Sequence, residues 1–112
     1  MNYTARATLQ DAATAAGNGS IFVVEDLATV VLQVSGTFSA TVSFEGTVDG
    51  TNWVAVRAQN LATGVAATST TSAGLFRLTV AGLAKIRAPI SSYTSGSITV
   101  KAFGTSMGAG AA

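Results

Sequence analysis

Apolar and polar residues alternate along most of the chain between residues 20 and 104. A period of two is typical of β-strands that bury one face, and here it recurs in short segments separated by turn residues. The predicted strand segments are residues 21–25, 28–34, 38–48, 53–57, 75–80, 84–90 and 97–104. This pattern predicts an all-β fold, an antiparallel β-sandwich or barrel. We favour a single antiparallel β-sandwich of jelly-roll type with seven or eight strands.

The two ends of the chain are patterned differently from its centre. Residues 1–19 are predicted to form a flexible arm that contains one strand, because small apolar and polar residues alternate near its start. A short helix over residues 9–16 is the alternative, since alanine favours helix. Residues 20–104 form the predicted sandwich domain. Residues 105–112 are rich in glycine and alanine, which are too small to pack, and we expect a flexible tail there.

Two internal stretches lack a clear strand pattern. Residues 58–74 are small and polar, and we expect a loop there or a weak edge strand near residues 64–67. Residues 91–96 come shortly after Pro89, whose ring nitrogen cannot donate a ladder hydrogen bond. We therefore predict that the strand ends near this proline and that residues 91–96 form a loop.

The surface implied by the composition is poor in charge. Charged residues make up only 10% of the chain and hydrophobic residues 48%, whereas ordinary globular domains contain about 25% charged residues. A surface with so few charges is expected to be shared with other chains. We therefore predict a homo-oligomer or a protein bound to a lattice.

The charges that are present argue against two classes of partner. The net charge is +1 and the basic residues are scattered, so no nucleic-acid partner is expected. Arg77, Lys85 and Arg87 fall on adjacent predicted strands. They form either a basic face or, as the default, a solvated face or salt bridges between subunits. No run approaches the ~20 apolar residues that span a bilayer, so no membrane partner is expected. The first residues lack the pattern of a secretory signal, and we expect assembly in the cytoplasm.

The inventory of reactive side chains does not indicate catalysis. The chain contains no cysteine and no histidine, so thiol catalysis is excluded and a serine nucleophile has no imidazole base. Glu45 and Asp49 form the best candidate pair of catalytic carboxylates. The favoured interpretation is that Glu45 lies on a solvated strand face and that Asp49 shapes the turn. We predict no catalytic residues, no cofactor and no metal site, so the protein is not expected to be an enzyme.

The predicted hairpin at Asp49 and Gly50 carries the candidate binding residues, Asp49, Asn52 and Trp53. Asp-Gly between alternating strands is a strong hairpin signal, because glycine adopts positive φ at little cost. An exposed Trp53 beside these polar residues would contact a glycan or a partner protein. The pattern favours the alternative that Trp53 covers one end of the sandwich, since a single aromatic residue usually packs. Asp49 and Asn52 suit a calcium site or, more often, a plain turn.

The hairpin segment also carries a resemblance to a known group of proteins. Residues 42–53, Val-Ser-Phe-Glu-Gly-Thr-Val-Asp-Gly-Thr-Asn-Trp, resemble a hairpin of small tailed-bacteriophage virion proteins. Later segments are similar to the same group, namely Gly74-Leu75-Phe76-Arg77, Ala81-Gly82-Leu83, Ile86-Arg87 and Ser95-Gly96-Ser97-Ile98-Thr99-Val100. The resemblance covers about residues 28–104 and keeps the order of these segments.

The resemblance implies a β-sandwich that serves as a structural part of the phage particle, without catalytic residues. The leading hypothesis is a capsid decoration or cement protein, located in the virion, that clamps adjacent subunits of the major capsid protein as a homo-oligomer. The alternative is a carbohydrate-binding or host-adhesion module of a tail fibre or neck appendage. Both roles are compatible with a sandwich, because a fold does not by itself decide function.

Overall fold

The computed structural model describes residues 3–106, and this part of the chain is built from β-strands. Its strands are β1 (Thr4–Ala13), β2 (Phe22–Val23), β3 (Thr29–Ser35), β4 (Phe38–Ser43), β5 (Glu45–Thr47), β6 (Val54–Ala55), β7 (Ala58–Asn60), β8 (Ala66–Ala67), β9 (Ser69–Thr70), β10 (Gly74–Thr79), β11 (Lys85–Arg87), β12 (Ile90–Gly96) and β13 (Ile98–Thr105). The all-β prediction is confirmed. Residues 3–106 contain no helix long and apolar enough to span a bilayer.

The strands form the two layers of an antiparallel β-sandwich. One layer is a six-stranded sheet in the order β1-β13-β3-β10-β7-β8. The other layer combines a four-stranded sheet, β2-β11-β5-β6, with a three-stranded sheet, β12-β4-β9. These two sheets continue each other, because the chain passes directly from β4 to β5 and from β11 to β12. The N–H of Ser43 donates to the carbonyl of Pro89 at 2.8 Å, which joins the two sheets at their boundary.

The core lies between the layers and follows the predicted alternation. Strand β3 buries Val30, Leu32 and Val34, as the period of two predicts. The same alternation on β10, β11 and β13 buries Phe76, Leu78, Ile86, Ile98, Val100 and Ala102. The rings of Phe44 and Phe76 meet across the core with their centroids 5.3 Å apart. The sandwich is therefore held by side chains whose positions the sequence pattern indicates.

The strand predicted within the N-terminal arm is present as β1, and it belongs to the sandwich. Strand β1 pairs with β13 from Thr4 opposite Thr105 to Ala13 opposite Ile98, with two register shifts between Thr8 and Ala13. Leu9 is 1% exposed and belongs to the core. Residues 4–13 are therefore an edge strand of the six-stranded sheet and not a separate arm or a helix. The predicted tail begins within β13, and residues 107–112 lie outside the described part of the chain.

Two further details of the strand prediction were wrong. Residues 91–96 form most of β12, which pairs with β4, whereas a loop was predicted. The long predicted strand over residues 38–48 divides at Phe44, whose N–H donates to Thr68 at 3.0 Å and whose carbonyl accepts from Val56 at 2.9 Å. Division of such segments, with three short strands between residues 58 and 70, raises the strand number above the predicted seven or eight.

Candidate binding surfaces

The hairpin between β5 and β6 is closed by one carboxylate. Asp49 Oδ1 accepts the backbone N–H groups of Thr51 and Asn52, each at 2.8 Å, and Asp49 Oδ2 accepts Asn52 Nδ2 at 2.9 Å. The hydroxyl of Thr47 donates to the same carboxylate at 2.9 Å. Gly50 has a φ of 77°, as the hairpin signal predicts.

These hydrogen bonds favour the charged form of the carboxylate. The N–H groups of Asn52 and Thr51, then the amide of Asn52 and the hydroxyl of Thr47, hold the pKa of Asp49 well below its usual range. Both carboxylate oxygens of Asp49 are thus used within the turn. The described residues contain no group of three or more histidine, cysteine, aspartate or glutamate side chains able to hold a metal ion. The arrangement of Asp49 and Asn52 is that of a turn.

Trp53 is half-buried and lies beside this turn, immediately before β6. The guanidinium carbon of Arg87 stands 4.2 Å from the centroid of the Trp53 ring. Arg87 Nε donates to Glu45 Oε1 at 2.7 Å, which completes a stack of three side chains across β11, β5 and the start of β6. Trp53 therefore neither projects freely into solvent nor enters the core.

The structure places the sequence-predicted site residues in two separate sets of contacts. Asp49 and Asn52 bond to each other, whereas Trp53 contacts Arg87. The acid pair considered from the sequence is also divided, since Glu45 pairs with Arg87 while Asp49 binds the N–H groups of its turn. The involvement of Arg87 was missed because it depends on the register Arg87 opposite Glu45, which spacing along the chain does not reveal.

A second surface, which we call the basic sheet face, is the outward side of the six-stranded sheet. Antiparallel register places two rows of side chains next to each other on this side. The basic sheet face consists of Arg6, Val31, Leu75, Arg77, Lys101 and Phe103. Phe103 and Leu75 are 43% and 45% exposed, so this side of the sheet presents large apolar side chains to solvent. A shallow depression of about 630 Å³ runs between them.

Positive charge is concentrated on the basic sheet face. The guanidinium carbon of Arg6 lies 5.1 Å from the centroid of the Phe103 ring, so a cation covers part of the exposed aromatic surface. Arg77 Nη2 donates to Gln59 Oε1 at 2.7 Å. Lys101 lines the depression, and none of the residues lining it is acidic. The only ion pair within residues 3–106 joins Arg87 to Glu45, on the opposite layer.

The basic sheet face is not apparent from the sequence. The predicted strands place Arg77 beside Lys85 and Arg87, but Lys85 and Arg87 belong to β11 in the other layer. Arg6 and Lys101 are 95 positions apart and become neighbours only because β1 pairs with β13. The signal that was available is modest, namely that Arg6, Lys101 and Phe103 all fall on the outward positions of alternating segments.

Comparisons with known proteins give one family match and two solved structures of similar fold. A family model described as XepA matches residues 3–104. The solved structure of SPBc2 prophage-derived protein YomS is 23% identical with a TM-score of 0.87, over 94% of this chain and 95% of that one. The solved structure of PBSX exported protein XepA is 24% identical with a TM-score of 0.89, over 93% of this chain.

The lengths of these two neighbours differ. The chain corresponds to almost all of YomS but to 38% of the XepA chain, so it spans less than half of that protein. At these identities the likeness to the two structures establishes the shared β-sandwich fold. No curated protein sequence matches the chain.

Proposed function

Because this chain belongs to the XepA family, we propose that it is a non-enzymatic structural protein of a bacteriophage particle. More specifically, we propose a capsid decoration protein that binds the lattice of the major capsid protein and stabilises it. Decoration would stabilise a shell because the protein binds assembled subunits better than separated ones.

A phage origin is supported by the family match and by the two structural neighbours. YomS is described as derived from the SPBc2 prophage, and XepA as a PBSX exported protein. Neither description states a place on a particle. Location in the virion is therefore part of our proposal for this chain, and the exposed apolar surface of the molecule supports it.

The observation that carries the proposal is the amount of apolar side chain at the surface of a domain with few charges. Nine large hydrophobic residues of the described part are at least 42% exposed. They are Tyr3, Ile21, Val23, Val48, Val54, Leu61, Val65, Leu75 and Phe103. With only 10% charged residues, the domain offers little ionic solvation to offset this exposure. Association with copies of itself and with another virion protein would cover such surfaces.

A non-enzymatic role is supported by the chemistry of the side chains. The sequence has no histidine or cysteine, and each carboxylate considered for acid–base work has a structural partner. The pKa of Asp49 is lowered, whereas a general acid near neutral pH needs a raised pKa. These features favour a binding protein over a hydrolase.

The alternative of a glycan-binding or host-adhesion module depends on Trp53, Asp49 and Asn52. Sugar recognition by such residues requires an open aromatic face beside free polar groups. In this chain Arg87 stacks on the Trp53 ring, and the Asp49 carboxylate is occupied by the turn. The hairpin is therefore organised to stabilise itself, and we favour the decoration role.

The proposal is tested on particles of the phage that encodes the chain. Density-purified particles should contain the protein in many copies, and immunogold labelling should place it on the head. Particles made without the gene should lose DNA at a lower temperature, and adding the purified protein should reverse this. Absence from purified particles contradicts the proposal. Labelling confined to the tail, with host adsorption lost in Trp53→Ala, favours the adhesion alternative instead.

A further inference from the structure

We propose that the basic sheet face docks a protein segment that presents carboxylates around an apolar side chain. This inference rests on the proposed function in that it assumes the chain acts by docking onto another virion protein. It adds the surface that is used and the chemistry of the partner. The surface is the outward side of the six-stranded sheet, formed by β1, β13, β3 and β10.

The arrangement of side chains defines what the partner must offer. Phe103 and Leu75 are exposed on either side of the depression, and Val31 lies between them on β3. An apolar side chain placed here would remove their surface from water at roughly 25 cal/mol per Å² of apolar area. Interfaces are commonly centred on such an aromatic anchor with polar groups around it.

The charges around this apolar centre determine that a partner must carry negative charge. Arg6 and Lys101 line the depression, and Arg77 lies opposite Val31 on β10. The described residues provide no carboxylate within ion-pair distance of any of these three cations. Half of the six basic residues of the chain thus lie on one face. A partner with carboxylates at its rim would be attracted and held in register, whereas a basic partner would be repelled.

A second copy of the chain is a poor occupant of this face. In a two-fold contact the same patch meets itself, so the three cations of one copy would face the three of the other. Like charges brought together in this way oppose association. The proposed homo-oligomer therefore uses other surfaces, and the basic sheet face remains available to a different, acidic protein.

The first test is zero-length cross-linking with a carbodiimide in purified phage particles. The reagent joins a lysine amine to a carboxylate in direct contact, and the chain has two lysines, Lys85 and Lys101. Lys85 lies on β11 in the other layer and serves as the internal control. We expect Lys101 to join an aspartate or glutamate of another virion protein. Joining of Lys101 to a second copy of this chain, or no cross-link at Lys101, overturns the inference.

The second test needs no particle and uses the purified full chain. Its probes are a labelled peptide of alternating glutamate and leucine and a matched peptide with lysine in place of glutamate. We expect the acidic peptide to bind at least about tenfold more tightly, and binding to weaken between about 50 mM and about 500 mM salt. Lys101→Glu should weaken acidic-peptide binding at least about tenfold.

Lys85→Glu is the matched control, because it makes the same lysine-to-glutamate change on β11 in the other layer. It should alter binding of the acidic peptide by less than about twofold. Equal loss in both variants, or no preference for the acidic peptide, overturns the inference. So does binding to vesicles of anionic lipid that Lys101→Glu abolishes while the peptide shows no preference. If the protein is absent from particles, the proposed function fails, while the peptide result still decides the chemistry of the face.

Discussion

The guanidinium of Arg87 lies against the ring of Trp53, with 4.2 Å between the guanidinium carbon and the ring centroid. Arg87 is on β11 and Trp53 immediately precedes β6. Strands β11 and β6 flank β5, so this contact holds the β5–β6 hairpin against β11. Glu45, on β5, orients Arg87 through a 2.7 Å hydrogen bond. A charge-assisted bond and a cation–π contact thus act on the same guanidinium.

Replacing Arg87 by alanine is expected to lower the free energy of unfolding by about 1–2 kcal/mol, because both contacts are lost together. Trp53 is the only tryptophan of the chain, so its fluorescence reports on the stack directly. The emission maximum should shift to longer wavelength as the ring becomes more solvated. Arg57→Ala, at an exposed position, should change stability by less than about 0.5 kcal/mol and leave the emission unchanged. An unchanged spectrum in Arg87→Ala would contradict this view of the stack.

The strands that sequence analysis located best are those with one buried face. On β3 and β10 every second residue is apolar and buried, so the pattern and the core agree. Strand β12 was not predicted, because its residues after Ile90 are polar and mostly exposed. Its strand conformation comes from backbone pairing with β4, which leaves no alternation in the sequence. The division of the predicted strand at Phe44 was missed for the opposite reason, since the alternation of apolar and polar residues continues through Phe44.

The binding surfaces were predictable only in part. The hairpin at Asp49 and Gly50 is a local feature, and local turn chemistry can be read from four or five neighbouring residues. The contact between Trp53 and Arg87 and the pairing of Arg6 with Phe103 depend on register between distant strands. Register is set by the packing of the whole sheet, so these contacts required the structure.

A pair of glycines provides a test of the turns that connect the two layers. Gly96 and Gly82 both have a φ of 95°, but a Cβ built at Gly96 would overlap the carbonyl oxygen of Thr37, whereas one at Gly82 meets nothing nearby. Gly82→Ala should therefore cost about 1–2 kcal/mol for the backbone conformation alone. Gly96→Ala should cost more than about 3 kcal/mol. Urea unfolding measures both values, and equal costs would show that the overlap is relieved by small movements.

Gln10 connects β1 to the opposite layer and is expected to contribute to stability. Its side chain is 7% exposed, and Gln10 Nε2 donates to the carbonyls of Ala88 at 3.0 Å and Gly17 at 3.2 Å. Gln10→Ala leaves the buried carbonyl of Ala88 without its side-chain hydrogen-bond donor. The free energy of unfolding should therefore fall by about 1–3 kcal/mol. Gln33→Ala is the matched control on an exposed position of β3, with an expected change below about 0.5 kcal/mol. A similar decrease in the free energy of unfolding in the two variants would show that the hydrogen bonds of Gln10 do not stabilise the fold.

The turn at Asp49 should make stability depend on pH in acid. Backbone N–H groups of Asn52 and Thr51 hold the pKa of Asp49 well below its usual range in the folded chain. A carboxyl with a lowered folded-state pKa stabilises the fold fully above its unfolded pKa of about 4, and this stabilisation is lost as pH falls toward the folded-state pKa. The midpoint temperature of Asp49→Asn should thus lie below that of the unmodified chain near about pH 7, and the difference should shrink between about pH 4 and about pH 2. Asp26→Asn controls for the loss of one negative charge. A difference for Asp49→Asn that stays constant to the lowest pH would mean that the carboxylate charge does not stabilise the turn.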